Sequence, residues 1–156
     1  MKSDFLQIID QHQNMIHKVC RMYRDSREDQ EDLFQEIVLQ LWKAWPTFRK
    51  EAKVSTWLYS IALNTALAAF RKKSISLDSE SKIPADLPQS SDKQTSENEE
   101  RLFLAIRKLN QAERAIIALY LEDFSYREIG EITGISENYV AVRMNRIKEK
   151  LKKLLT

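Results

Sequence analysis

The chain has 156 residues, with 25 lysines and arginines against 23 aspartates and glutamates and a net charge of +2. Two glycines and three prolines are too few for the tight turns of a β-sandwich or barrel and leave no glycine-rich phosphate loop, and one cysteine excludes a disulfide framework or a Cys-rich zinc site. No apolar run approaches the ~18–20 residues of a membrane span, and the N-terminus lacks the apolar core of a signal peptide. The expectation is a cytoplasmic, all-α protein with no membrane insertion.

Charge divides the sequence into three. Residues 1–73 carry a net +3, residues 74–100 a net −5 and residues 101–156 a net +4. The middle stretch is serine-rich, holds Pro84 and Pro88, and has neither an aromatic residue nor helical periodicity. It buries too little apolar surface to offset its ordering entropy, so it reads as a flexible acidic linker. Two small helical domains, 1–73 and 101–156, flank it.

In the first domain, Phe5, Ile8, Ile9, Met15, Ile16, Val19, Cys20 and Tyr23 recur close to a 3.6 period and predict a helix. His12, His17 and Cys20 on it have no acidic or thiol cluster at metal spacing, so they read as ordinary helix residues. A second helix starts near Asp29 and ends at Pro46, with Leu33, Phe34, Ile37, Val38, Leu41, Trp42 and Trp45 as its core stripe. Asp32, Gln35, Glu36, Leu39 and Lys43 project to the other side, so Leu39 is expected to be an exposed leucine amid an acidic face. Either it is an ordinary surface leucine or it anchors a partner with a basic rim.

After Pro46, Ser55 or Thr56 is placed to cap a third helix running to about Lys73. Trp57 and Tyr59 lie in its first turn beside the basic residues Arg49, Lys50 and Lys53. Arg71, Lys72 and Lys73 close it, where the helix dipole favours cations. Cations around an aromatic platform suit single-stranded nucleic acid, while a core tryptophan beside a solvated loop is the plainer alternative.

The last domain carries sharper local signals. Asn110 with Glu113 and Ser125 with Glu128 fit capping boxes, Gly134 marks a tight turn, and Ser136 caps the final helix. Two helices hinged at a glycine, with Ile129, Ile132, Ile135 and Val140 spaced to pack them together, form a helix-turn-helix pattern. Ser136, Glu137, Asn138, Ala141, Arg143, Asn145 and Arg146 on the second helix are candidates to face a major groove. Arginine pairs with guanine and asparagine with adenine, and Arg143 is equally suited to a phosphate. A helical hairpin with a merely solvated basic face is the rival reading.

Taken together, the E-D-L-x-Q-E string at 31–36, the S-T-W-L-Y-x-I-A-x-N string at 55–64, the acidic linker and the helix-turn-helix resemble a bacterial RNA polymerase sigma factor. The similarity is to the extracytoplasmic-function (ECF) group of the sigma-70 class, which keeps only domains 2 and 4, and it covers nearly the whole chain. The resemblance implies an alternative sigma factor that binds core polymerase and directs initiation by melting the −10 promoter element and reading both it and the −35 element.

By the same resemblance, Asp32, Gln35, Glu36, Leu39 and Lys43 would dock on the β′ clamp helices, and the last domain would meet the β flap. Phe48, Arg49, Lys50, Lys53, Trp57, Asn64, Arg71 and Lys72 would contact the −10 element, one base being flipped into a pocket lined by Phe48 and Asn64. Ser60 and Ile61 stand where primary sigma factors carry two wedging tryptophans. The final helix would read the −35 duplex, although Ala141 stands where a basic residue is common. An anti-sigma factor is a further expected partner, able to hold the chain at the membrane. No nucleophile–base pair, carboxylate dyad or metal-ligand set is recognisable, so neither catalysis nor a cofactor is expected. A ligand-sensing helix-turn-helix regulator and a helical adaptor for an acidic protein are the alternatives to a sigma factor.

Overall fold

The computed structural model describes residues 2–48, 53–71 and 97–156, and every regular element among them is helical. Two compact units divide the chain, Met1–Cys20 with Ser26–Ser91 and Arg21–Asp25 with Asp92–Thr156.

The first unit is built on α1 (Lys2–Tyr23) as far as Cys20, α2 (Arg27–Ala44), a 3-10 turn (Trp45–Thr47) and α3 (Val54–Arg71). α2 begins two residues before Asp29 because Ser26 caps it: its Oγ accepts the Asp29 N–H at 3.1 Å. Glu28 and Asp29 then sit at the positive end of the helix dipole and Lys43 at the negative end. Pro46 stops the α-helix as expected, because proline offers no N–H to the ladder. The chain tightens instead into the 3-10 turn, closed by the Phe48 N–H on the Trp45 carbonyl at 3.1 Å.

α3 starts earlier than the Ser55 or Thr56 cap predicts. The Trp57 N–H already bonds the Lys53 carbonyl at 3.1 Å, so both hydroxyl residues lie inside the first turn. Leu58, Tyr59, Ala62 and Ala66 are buried, and α3 packs along α2 on this partly small-residue face. Phe5, Ile9, Ile16, Ile37 and Leu41 are fully buried with them.

Two expectations for α2 are corrected. Leu39, read as an exposed residue on the acidic face, is only 3% exposed. A helical wheel assigns one inner face only to a helix with one neighbour. α2 meets α1 through the stacked His17–Phe34 rings (4.3 Å) and the Phe5–Trp42 edge contact (5.0 Å), and it also packs on α3, so its buried arc is wider than one stripe. Conversely, Trp42 and Trp45, assigned to the core stripe, are only half-buried.

The second unit comprises α4 (Glu97–Arg107), α5 (Gln111–Leu121), α6 (Tyr126–Thr133) and α7 (Glu137–Leu155). α4 reaches back into the acidic stretch: Glu97, Glu99 and Glu100 form its first turn, where negative charge favours helix. Both predicted capping boxes are present, with Asn110 and Ser125 accepting the N–H groups of Glu113 and Glu128 at 2.8 and 3.1 Å. α7 packs against α4, α5 and α6 through Val140, Met144, Ile147 and Leu151, all buried.

Gly134 ends α6 in the left-handed region (φ 81°), as the turn requires, and its N–H bonds the Gly130 carbonyl at 2.8 Å. Gly130 is the less obvious requirement. A Cβ there would stand 2.6 Å from the Ile135 carbonyl oxygen, so the turn between α6 and α7 folds directly onto the bare backbone of α6.

Glu113 joins α5 to α7. Its side chain, 6% exposed, accepts the Asn110 N–H at 3.1 Å and the Lys150 ammonium at 2.6 Å. Burial pushes its carboxyl pKa up, but the hydrogen bonds from Lys150 and the Asn110 backbone and the positive charges of Lys150 and Arg143 outweigh it, holding the group below its ordinary value. A carboxylate held low in the folded state adds stability above its unfolded pKa and loses it as the pH falls through the folded one.

Two stability predictions follow from these contacts. In an ordinary helix interior glycine-to-alanine stabilises by about 1 kcal/mol; here Gly130→Ala destabilises by about 1–2 kcal/mol, because overpacking against backbone outweighs propensity. Denaturant unfolding measures the sign, and a more stable variant contradicts the close approach. Glu113→Gln keeps the capping acceptor but removes the charge, at about 1–2 kcal/mol near neutral pH, part of the attraction being screened at the half-exposed Lys150. Its stability difference from wild type shrinks as the solution is acidified through the Glu113 titration; a difference independent of pH refutes the ion-pair account.

Candidate nucleic-acid interfaces

On α7 the sequence dictates two faces. Val140, Met144, Ile147 and Leu151 follow one another at helical spacing and are buried. Asn138, Val142, Asn145 and Arg146 lie opposite and are exposed. Ser136 starts the helix by accepting the Tyr139 N–H at 3.1 Å, and Glu137 occupies the exposed first turn. The predicted residues therefore separate. Asn138, Asn145 and Arg146 share the outward face, Ala141 is half-buried beside it, and Arg143 lies on a flank.

The Arg143 guanidinium sits 5.7 Å from the Tyr139 ring centroid, with one N–H 3.5 Å from the phenol oxygen. Tyr139 and Val142, each 45% exposed, are absent from the residues chosen by sequence. Their position was the available signal: Val142 stands two residues from both Val140 and Met144 and Tyr139 one before Val140, so neither falls on the buried line, whose members are three and four apart.

The first unit presents a longer surface on α3. Lys53, Trp57, Ser60, Ile61 and Asn64 recur at intervals of three and four, so they line one side of the helix from its start. Lys53 and Asn64 are exposed and the three between them are half-buried. Trp57 is no isolated platform: its ring centroid lies 4.6 Å from Phe48 and 6.0 Å from Trp45, and Trp45 stacks on Phe48 at 5.7 Å. The two ends of the 49–52 connection are thus joined by the aromatic rings of Phe48 and Trp57. Arg49, Lys50 and Lys72, also chosen by sequence, lie outside the described residues, as does the side chain of Arg71, the last residue of α3.

On α2, Asp32, Gln35 and Lys43 are exposed and Glu36 is half-buried, accepting the Gln40 amide at 3.1 Å. Leu39 is not part of that surface. Among the described residues no group of three or more His, Cys, Asp or Glu side chains is placed to hold a metal, and no helix is long and apolar enough to cross a membrane.

The model of sigma-70 region 2 matches residues 8–75, and that of sigma-70 region 4 matches residues 99–151. The chain is also 32% identical to the ECF RNA polymerase sigma factor SigW of Bacillus subtilis, over 97% of this chain and 88% of that protein. The chain belongs to the ECF RNA polymerase sigma factors. Two solved structures share the fold: the sigma factor RpoE of Bartonella quintana, in complex with the anti-sigma factor NepR (TM-score 0.69, 20% identity, 99% of this chain and 95% of that one), and CnrH, in complex with the cytosolic domain of CnrY (TM-score 0.70, 19% identity, 99% and 89%). In this sigma factor, region 2 takes in most of α1, then α2 and α3 with the aromatic group between them, and region 4 takes in α5 and α6 with most of α4 and α7.

Proposed function

We propose that this chain is an alternative sigma factor: it binds core RNA polymerase and directs initiation at promoters whose −10 and −35 elements it reads. The observation that carries this reading is the pairing of both sigma regions, in order, with an outward α7 face of Asn138, Asn145 and Arg146. Residues 1–73 act as domain 2 and 97–156, from the start of α4, as domain 4, with the acidic tether between them. The chain works in the cytoplasm, has no chemistry of its own and leaves bond formation to the polymerase.

The docking face for the polymerase clamp is Asp32, Gln35, Glu36 and Lys43, without Leu39, whose burial gives it a structural task instead. The −10 strand passes the α3 line of Lys53, Trp57 and Asn64 beside Phe48, with Arg49, Lys50, Arg71 and Lys72 supplying phosphate contacts. Opening the duplex there costs a few kcal/mol of unstacking, which pocket contacts and cations must offset. On α7, Arg146 faces outward and reads a base, while the flanking Arg143, drawn toward Tyr139, holds phosphate. Ser136, Glu137 and Ala141 border that contact. An anti-sigma factor is a further partner, as NepR is for RpoE.

Transcription of the host's genomic DNA by core polymerase with and without the chain, with mapping of RNA 5′ ends, tests the reading. The chain produces new start sites that share upstream sequence; an unchanged set of starts refutes it. Arg146→Ala relaxes base preference at one −35 position by about 1–3 kcal/mol, whereas Arg143→Ala weakens binding to all sequences and lowers the salt slope by about 1. Identical behaviour of the two variants contradicts their assigned roles. The pair Asp32→Lys with Gln35→Lys lowers capture of core polymerase at least about tenfold, the scale of one desolvated contact, with an unchanged helical circular dichroism signal. Retained capture removes the docking face.

A further inference from the structure

We propose that Val142 is a specificity residue that recognises a thymine through its 5-methyl group, and so adds an apolar reading to the −35 contact. The inference rests on the assignment of α7 to duplex DNA and extends it to a base and a chemical group.

Val142 is 45% exposed on the face of α7 opposite Val140, Met144 and Ile147. Asn138 and Arg146, both exposed, stand one turn before and one turn after it on the same line. Valine weakens a helix slightly through its restricted χ1, and on this face it contributes nothing to the core. The same restriction leaves little rotamer freedom to lose when the side chain is held against a partner.

In the major groove the bases present donors and acceptors, together with one apolar group, the thymine methyl. An outward branched aliphatic between an asparagine and an arginine matches that mixture: amide for adenine, guanidinium for guanine, isopropyl group for thymine. Arg143, the next cation along the helix, is drawn toward Tyr139, with one N–H 3.5 Å from its phenol oxygen. Asn138, Val142 and Arg146, four residues apart, form one line along the outward face, with Asn145 beside it. Successive members are about 6 Å apart along the axis, close to the rise of two base pairs. The thymine is therefore expected within about two base pairs of the guanine read by Arg146.

Thymine-to-uracil substitution isolates the methyl group, because pairing and every donor and acceptor are retained. Holoenzyme reconstituted with the full chain is titrated onto duplexes carrying one of its mapped promoters, with each thymine of the −35 region replaced singly by deoxyuridine. For the wild-type chain, one replacement weakens binding about three- to fivefold, the scale of burying one methyl group. With Val142→Ser that replacement has no effect, and with Val142→Ile the sensitivity is retained. Absence of any sensitive thymine, or equal sensitivity in wild type and Val142→Ser, overturns the proposal while promoter selection by the holoenzyme stands. A holoenzyme that selects no promoter fails the assignment of α7 to DNA and overturns the proposal with it.

Discussion

The backbone contact between α6 and the turn that follows it fixes the working geometry of the second unit. Gly130 has no Cβ, so the Ile135 carbonyl can occupy the space beside it. The left-handed Gly134 then reverses the chain, and Ser136 starts the next helix within two residues. Three short-range constraints therefore determine where α7 begins and which side of it is buried. The buried line from Val140 to Leu151 settles the rest: once those side chains face α4, α5 and α6, the polar residues between them face outward as a set. The outward face proposed to read DNA is thus set by interactions that touch no DNA.

A different constraint organises the first unit. Pro46 breaks α2, and the broken end is held by rings rather than by backbone hydrogen bonds alone. Trp45, Phe48 and Trp57 lie within 6.0 Å of one another between the end of α2 and the start of α3. Aromatic pairs contribute about 0.5–1.5 kcal/mol each beyond area burial, so the cluster is a substantial local clamp. It also reconciles the two readings of Trp57, which is part of the packing and still half-exposed on the face that carries Asn64.

What could be read from sequence was what short-range chemistry decides. Ser125, Ser136 and Asn110 satisfy helix ends within three residues of themselves, so their roles stand in the sequence as written. Leu39 shows the opposite case: its burial reflects the neighbours of α2, which a wheel cannot see. Gly130 carries no such mark in the sequence, because what requires it is the Ile135 carbonyl that the folded turn brings beside it. Glu97 to Glu100 were counted with the acidic tether because composition weighs charge, whereas a helix N-terminus draws negative charge to its first turn. Tyr139 and Val142 carry no base-pairing chemistry to mark them on α7, so only their offset from the buried line, confirmed by their exposure, places them on the outward side.

As proposed, one chain gives the polymerase both a duplex-reading helix and a strand-opening surface. Permanganate mapping of unpaired thymines, combined with a nuclease footprint of the holoenzyme on one of its promoters, tests both parts at once. Protection of an upstream duplex element is expected together with reactive thymines at the −10 element, neither of them seen with core polymerase alone. Protection without reactive thymines, or a pattern identical to that of core polymerase, would contradict it.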